Sequence, residues 1–246
     1  MNTISAENSI AAAVVDAIQA GDLETLQRLL TTHPDLATCT IAAGDPNGSQ
    51  RTLLHIVTDW PGHYPNGAQT VKVLVAAGSD VNARFVGAHR ETPLHWAASC
   101  DDVAVLDALL DAGADIDAAG AVIGGGPPLA DATAFKQWRA AHRLVERGAR
   151  ITLADAATLG LMDRVRAMVD AVPAPPQDVL DGAFWSACHG GQRDAAQYLL
   201  DRGADVNWWA PWEPMTPLDA AEEGEYGELV AWLKARGATS AAEGRR

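Results

Sequence analysis

The sequence predicts a solenoid, in which similar short units stack side by side and bury one continuous core. The segment Thr-Pro-Leu-His-Trp-Ala-Ala at residues 92–98 recurs in altered form at residues 52–57 and 216–221. A second segment, of the form Ala-Gly-Ala-Asp-Ile-Asp, recurs at residues 77–82, 112–117 and 202–207. The glycines Gly78, Gly113 and Gly148 are 35 residues apart. Such a period is typical of solenoids, because one unit cannot bury its apolar face without a neighbour.

These two segments and their period resemble the ankyrin repeat. The resemblance implies an all-α ankyrin-repeat solenoid of helix-turn-helix pairs with projecting finger loops, and about seven repeats including degenerate caps. We expect residues 1–246 to form a single domain with a frayed tail at 239–246. The repeats are expected at about 10–40, 48–82, 83–117, 118–150, 151–172, 179–207 and 208–238.

Each first helix is expected to begin at the Thr-Pro step, because Thr can cap a helix and Pro is accepted at the first helical position. The second helix should bury one stripe, as Val103, Leu106 and Leu110 of the third repeat share a face. A glycine such as Gly113 then ends the helix in the left-handed conformation.

Three repeats depart from this pattern. The first lacks the Thr-Pro start and should act as the N-terminal cap. The second carries about five extra residues, within 59–67 and between its helices. The fifth is short, and the Pro-Ala-Pro-Pro segment at 173–176 that follows it cannot continue a helix. This is the best candidate for a bend in the array.

The formal net charge of −14 argues against nucleic acid as a partner, because such proteins need a basic face. An anionic membrane is disfavoured for the same reason, and no apolar stretch is long enough to span a bilayer. The N-terminal residues resemble a first helix and not a signal peptide. We therefore expect a cytoplasmic monomer that uses no cofactor.

The chain has three cysteines, Cys39, Cys100 and Cys188, which we interpret as free thiols in a reducing compartment. Cys-x-x-Cys is absent, and the histidines lack the helical spacing of metal ligands, so no metal site is expected. The glycine run at 124–126 is not followed by Lys-Ser or Lys-Thr, which makes a phosphate-binding loop improbable.

The resemblance implies a concave binding face, made by the fingers and the exposed side of each first helix. Most of the tryptophans fall on or near this face when the repeats are aligned. Exposed aromatic patches mark binding sites, and tryptophan carries much of the energy at interfaces. The predicted binding residues are Trp60, His63, Tyr64, Phe85, His89, Arg90, Trp96, Phe135, Trp185, Trp208, Trp209 and Trp212.

Several of these residues also have a structural interpretation. His55 and His95 match the recurrent histidine of the family, which hydrogen-bonds loop backbone, so the resemblance gives them a structural role. For Trp96 and Trp185, core packing is the favoured interpretation. The pair Asp101-Asp102 should lie between two helices and cap the second. The insertion with Asp59 is either a lid over a pocket or an ordered surface loop.

Asp131 stands where the repeat prefers an apolar residue, so its carboxylate should be hydrogen-bonded, ion-paired or raised in pKa. His189 would be its acid–base counterpart if the array bends enough to bring the two together. Asp59 is a third candidate for acid–base catalysis.

Three functions therefore compete. The first is a protein-interaction module with an aromatic-rich concave face, which the resemblance favours. The second is a small-molecule-binding protein or a cofactor-independent acid–base enzyme, with a tryptophan-lined pocket on that face and catalysis by Asp131, His189 or Asp59. The third is a purely structural scaffold. The partner is accordingly another protein or a small-molecule ligand, and catalysis is the less expected outcome.

Overall fold

The computed structural model describes residues 2–42, 44 and 48–243. Helices dominate this part of the chain, which contains fourteen α-helices that pack in seven consecutive pairs. The predicted all-α class is confirmed. The described residues up to Ala149 form one compact unit, and those from Arg150 onwards form a second.

The first unit contains four of the helix pairs and a short 3-10 helix at Pro34–Thr38. Its helices are α1 Ser9–Ala20, α2 Leu23–Thr32, α3 Leu53–Val57, α4 Gly67–Ala76, α5 Pro93–Ser99, α6 Val103–Asp111, α7 Pro128–Ala134 and α8 Trp138–Glu146.

The first helices begin where the Thr-Pro segments predict. Thr52 and Thr92 each form a capping box with the histidine three residues later, so the helix start satisfies its own backbone donors. The second helices α2 and α6 begin at Asp22 and Asp102, whose carboxylates accept backbone N–H groups at 3.0 and 3.2 Å. The capping role predicted for Asp102 is confirmed.

A small three-stranded sheet was not predicted. Strand β1 (Thr3–Ser5) pairs in parallel with β2 (Thr40–Ala42), which pairs antiparallel with β3 (Gln50–Thr52). The Gln50 backbone also exchanges two hydrogen bonds with Val86, of 2.8 and 3.0 Å. The sheet therefore ties the N-terminus of the first unit to the loop that precedes α5.

The recurrent Asp-Val-Asn segment joins successive repeats. The amide of Asn82 donates to the carbonyl of Gly113 at 3.2 Å, and its oxygen accepts the backbone N–H of Asp115 at 2.8 Å. Gly113, at the end of α6, has φ +93° and so takes the left-handed conformation that the sequence predicts.

The second unit contains three helix pairs. Its helices are α9 Leu153–Thr158, α10 Met162–Val169, α11 Gln177–His189, α12 Arg193–Asp201, α13 Pro217–Glu223 and α14 Gly227–Lys234. Helix α11 begins directly after Pro176, two residues before the expected repeat start at 179. Its first turn is held by Gln177, whose amide donates to Asp181 and to the carbonyl of Gly203, both at 2.9 Å. The core centres on the fully buried Phe184.

The segment expected to be a frayed tail is hydrogen-bonded at its start. The backbone N–H of Thr239 donates to Asn207 at 2.8 Å, and that of Ala241 donates to Asp219 at 2.9 Å. Asn207 thus repeats the contact of Asn82 one repeat from the end of the array. Residues 244–246 of the expected tail lie outside the described residues.

Candidate binding surfaces

Finger loops are defined here as the segments that precede α5, α7 and α13. In the first unit, the finger before α5 (residues 83–91) and the finger before α7 (residues 118–126) expose apolar side chains to solvent. Val86, Val122 and Ile123 are all exposed. We call these three residues, with Phe85, His89, Arg90 and Trp96, the first finger surface.

The aromatic residues of this surface pack on one another. The Trp96 ring lies 5.0 Å from the His55 ring in an edge-to-face arrangement and 5.2 Å from the Phe85 ring. His55 is fully buried, whereas Phe85 and Trp96 are half-buried. The cluster therefore extends from the core to the surface. Trp96 both packs against the core and remains partly exposed to solvent.

The recurrent histidines of α3 and α5 contact the backbone of the finger that follows each helix. His55 Nε2 lies 3.2 Å from the carbonyl oxygen of Glu91, and His95 Nε2 lies 3.3 Å from that of Gly126. Burial lowers the pKa of both rings to about 4. Their predicted structural role is confirmed.

Asp131, the first of the candidate catalytic residues, is fully buried. Its Oδ1 accepts the backbone N–H of Ile123 at 3.3 Å, while Oδ2 has no hydrogen-bond partner among the described residues. Burial raises the pKa of this carboxyl to about 6, against the lowering effect of the Ile123 N–H, and the nearby charge of Glu91 raises it further. The Asp131 carboxylate thus stabilises the finger before α7 by accepting the Ile123 N–H. A hydrogen-bonded carboxylate is one of the environments expected from the sequence.

Glu91 lies at the base of the same finger surface and is buried. Burial raises the pKa of its carboxyl, against the lowering effects of the His89 charge and of a hydrogen bond from Trp96. Glu91 and Asp131 are therefore two buried acids beneath the first finger surface.

A basic cleft of about 530 Å³ opens between the two fingers. Arg84, His89 and Arg90 provide its charged lining, and Gly120 and Gly125 provide much of its backbone. Arg84 Nη1 donates to the carbonyl of Arg90 at 2.9 Å and also to that of Ala119, which holds the fingers together. Asp131 is not part of the lining.

The insertion of the second repeat lies against helix–helix turns. The backbone N–H of His63 donates to Asp102 at 2.9 Å, and the His63 ring contacts the carbonyl of Cys100 at 2.9 Å. On its other side, Asn66 donates to the carbonyl of Gly21 at 2.9 Å. We call residues 59–66 the turn-edge loop, since it joins the turns of the first and third repeats. These contacts are those of an ordered surface loop.

The predicted site residues of the turn-edge loop have different surroundings. Asp59 forms an ion pair with Arg51, and burial raises the pKa of its carboxyl against that charge. Burial also raises the pKa of Tyr64, with a further contribution from Asp59 and an opposing hydrogen bond from Gln19. Trp60 is 81% exposed. Arg51, the partner of Asp59, was missed because no local motif links residues eight positions apart across a helix.

Phe135 caps the C-terminal end of α7 and is exposed. It therefore occupies a helix–helix turn, at the opposite end of α7 from the finger that precedes the helix.

In the second unit, Trp185, Trp208 and Trp212 form an aromatic cluster with His189 at the finger before α13. Trp185 stacks on His189 with ring centroids 5.3 Å apart, and Trp212 meets Trp185 in an edge-to-face arrangement with ring centroids 5.6 Å apart. Trp208 lies 5.6 Å from Trp212. Residues 208–215 are called the tryptophan finger below.

Burial divides this group into two layers. Trp185 and His189 are buried, and Trp185 packs against Ala210 and Ala220. Trp212 is 61% exposed and Trp209 is 38% exposed, so these two rings form the outer layer. Trp185 Nε1 is buried and has no hydrogen-bond partner among the described residues.

The recurrent histidine is replaced in all three first helices of the second unit. At Asp155 a carboxylate takes its place and forms the capping box with Thr152. At Trp185 an indole takes its place and packs on the following finger. At Asp219 a carboxylate takes its place, forms the capping box with Thr216 and accepts the N–H of Ala241 at 2.9 Å. The role of Asp219 was missed, although its position after Thr-Pro-Leu was the signal.

Asp131 belongs to the first unit and His189 to the second. Each has its own packing partners, as described above. A shared acid–base site of these two residues stays a prediction.

The three cysteines are free thiols. Burial raises the pKa of all three, that of Cys100 to about 11, so they are poor nucleophiles at neutral pH. Within residues 2–42, 44 and 48–243, no group of three or more His, Cys, Asp or Glu side chains is arranged to hold a metal ion. No helix in the same part of the chain has the length and apolarity needed to cross a membrane.

Comparisons with a family model and with individual proteins both give matches to this chain. A family model described as "Ankyrin repeats (3 copies)" matches residues 14–120. The chain is 25% identical over 236 residues to "Ankyrin repeat and KH domain-containing protein mask-1" of Caenorhabditis elegans, which covers 92% of this chain and 8% of that protein. It is 35% identical over 103 residues to "RelA-associated inhibitor" of Mus musculus, which covers 42% of this chain and 11% of that protein.

The chain thus spans only a small part of the length of either relative. At the level of the repeats, the matches point to protein–protein interaction. The family match and the two relatives support ankyrin repeats in this chain, and the helix pairs with their capping boxes and inter-repeat hydrogen bonds fit an all-α ankyrin solenoid.

Proposed function

We propose that this protein binds another protein through its finger loops and the neighbouring sides of its first helices. The observation that carries the proposal is the position of large apolar side chains that are exposed to solvent. Val122, Ile123, Trp209 and Trp212 are exposed at finger positions of the two units. Exposed apolar groups of this size on ordered loops are typical of interfaces, and tryptophan often supplies most of the binding energy.

The fingers are ordered enough to bind without a large entropic cost. In the first unit, Asp131, His95 and Arg84 each hydrogen-bond finger backbone. In the second, the tryptophan finger closes on itself through a 3.3 Å bond from the N–H of Ala210 to the carbonyl of Met215. A pre-ordered surface loses less conformational freedom on association, which favours affinity.

The second hypothesis, a ligand-binding protein or acid–base enzyme, has less support. Asp59 is engaged by Arg51, and Asp131 by the backbone of its own finger. A general base needs its carboxylate within reach of a substrate proton, and neither group faces the basic cleft. The basic cleft is the place where a small anion would bind if this hypothesis were correct.

Site-specific photo-crosslinking tests the proposal. A photoreactive residue is placed at Ile123 or Trp209, and matched controls carry it at Lys72 or Asp194, which are exposed on the second helices α4 and α12. Crosslinking in cells of the source organism should join the finger positions to the same protein partner reproducibly. The control positions should give no such product.

Equal labelling from finger and second-helix positions, or no protein product from any finger position, would contradict the proposal. Isothermal titration of the purified chain with small anions, such as acetate and inorganic phosphate, tests the second hypothesis in parallel. Binding that is lost in Arg90→Ala would favour that hypothesis.

A further inference from the structure

We propose that the tryptophan finger binds a basic segment of its protein partner, rich in arginine or lysine. This inference rests on the proposed function and adds the chemistry of the partner. It follows from the arrangement of aromatic rings, from the distribution of charge around them, and from the contrast with the first finger surface.

Trp212, the more exposed of the two outer rings, is held by its neighbours. Trp212 meets Trp185 at an interplanar angle of 86° and Trp208 at 62°, so neighbours support it on two sides while most of its surface remains in solvent. The face of a tryptophan carries negative potential, which attracts guanidinium and ammonium groups. A ring held by its neighbours offers that face without further ordering.

The sequence segments that contain these rings carry acidic side chains and no lysine or arginine. Residues 171–192 and 203–233 include α11, the tryptophan finger and α13, and they contain aspartates and glutamates but no lysine or arginine. Glu213 follows Trp212 directly and is exposed. Asp205, at the base of the finger, is exposed as well. A cationic side chain that approaches these segments therefore meets exposed carboxylates.

The positive charges of the second unit lie mainly on its second helices, where several are already paired. Arg202 forms an ion pair with Asp170, and its guanidinium lies 4.4 Å from the centre of the Tyr198 ring. Arg236 lies 4.0 Å above Trp232. The second unit thus places these two guanidinium groups on aromatic rings of its second helices.

The first finger surface has the opposite charge at its centre. Arg84, His89 and Arg90 line its cleft, so a basic segment would be repelled there. Charge complementarity therefore assigns the basic segment to the tryptophan finger alone, and the first finger surface serves as an internal control.

Peptide binding measured by fluorescence anisotropy tests the inference on the full chain. Three labelled peptides of equal length and equal apolar content carry arginine, glutamine or glutamate at the same four positions. The arginine peptide should bind at least about tenfold more tightly than the glutamate peptide, and its affinity should fall as salt is added. The double variant Trp209→Ala/Trp212→Ala should lose about tenfold in affinity for it.

Two further variants keep the test informative if the double variant is less well folded. Glu213→Arg changes an exposed side chain only, and it should reverse the preference between the arginine and glutamate peptides. Trp60→Ala removes an exposed tryptophan of the first unit and should leave binding unchanged. Circular dichroism of each variant verifies that the helices are intact.

Equal affinity for the three peptides, or a preference that Glu213→Arg leaves unchanged, would overturn the inference. The crosslinked segment from position 209 separates this failure from that of the proposed function. A protein product whose crosslinked segment is neutral or acidic overturns only the basic-segment inference. Absence of any protein product from the finger positions overturns both.

Discussion

His55 Nε2 lies 3.2 Å from the carbonyl oxygen of Glu91, so a buried histidine of one repeat holds the finger of the next. His95 and Gly126 repeat this contact one unit further along at 3.3 Å. The ring also forms the capping box of its own helix. One side chain therefore determines where its helix starts and how the following repeat is attached.

Acid should destabilise the protein through these two histidines. Burial lowers the pKa of both to about 4, below the ordinary 6.5, so the unfolded chain binds more protons between these values. The stability they contribute is complete above pH 6.5 and is lost as the pH falls towards 4. Each should cost roughly 1.4 kcal/mol per pH unit well below pH 6.5. Urea unfolding at pH 7.5, 5.5 and 4.5 measures this slope.

The double variant His55→Gln/His95→Gln should be less stable at pH 7.5 but should lose less stability on acidification. His142→Gln, at an exposed position of α8, is the matched control and should keep the wild-type slope. An unchanged acid slope in the double variant would show that other groups govern acid unfolding.

Asp131→Asn should stabilise the protein at alkaline pH. Burial raises the pKa of Asp131 to about 6, so the folded state favours the protonated form, and this advantage is lost as the pH rises from about 4 to above 6. The ionised carboxylate costs roughly 3 kcal/mol above pH 6. Asparagine keeps an acceptor for Ile123 without the charge, although its amide lacks a partner at a cost of about 1 kcal/mol. A net gain of roughly 2 kcal/mol at pH 8 is therefore expected.

At pH 5 the two proteins should differ much less, which makes the wild type its own control. Asp115→Asn, at an exposed position between α6 and the finger before α7, should give no such gain at pH 8. Chemical denaturation at both pH values measures these differences. A loss of stability in Asp131→Asn that is larger at pH 8 than at pH 5 would contradict the assignment of Asp131 as a strained buried acid.

Gly62→Ala should disrupt the docking of the turn-edge loop. Gly62 has φ +72°, and a Cβ atom there would lie 2.8 Å from the Cβ of Cys100. The left-handed backbone costs an alanine about 1–2 kcal/mol, and the clash should add roughly 1–3 kcal/mol. Gly48→Ala is the matched control, because Gly48 has φ +63° and no described atom within 4 Å of the added Cβ. Equal losses in urea unfolding would argue against close packing at Gly62.

Asn207→Ala should loosen the C-terminal end of the array. Asn207 accepts the N–H of Thr239 at 2.8 Å and donates to the carbonyl of Gly237 at 3.2 Å. Its removal should cost about 1–2 kcal/mol and should accelerate amide hydrogen exchange at Thr239. Asn82→Ala is the counterpart in the first unit and should affect Asp115 but not Thr239. Wild-type exchange rates at Thr239 in Asn207→Ala would show that the tail is held otherwise.

Local signals in the sequence predicted the parts of the fold that depend on local chemistry. The Thr-Pro steps identify helix starts because capping involves residues three apart, as in Thr92 and His95. Gly113 marks a helix end because few other residues adopt its φ of +93° readily. The family resemblance added the role of His55, whose partner lies 36 residues away in the chain.

The parts that were not predicted depend on contacts between distant residues. Thr3 pairs with Thr40 in the small sheet, and three residues per strand are too few to show an alternating pattern. The finger contact of Asp131 could not be read from its neighbours in the sequence, which suggested only an unusual carboxylate. The sequence also did not predict that Trp212 is exposed while Trp185 is buried, because the residue type is the same at both positions.

The turn-edge loop limits how this array can change its length. Where the contacts between neighbouring repeats are interchangeable, a whole unit can be added or removed without disturbing the rest. Here one loop is hydrogen-bonded to Gly21 of the first repeat and to Asp102 of the third at the same time. Deletion or duplication of a single repeat within residues 10–117 would remove one of these two contacts. Length variants should therefore inherit or lose these three repeats as one block.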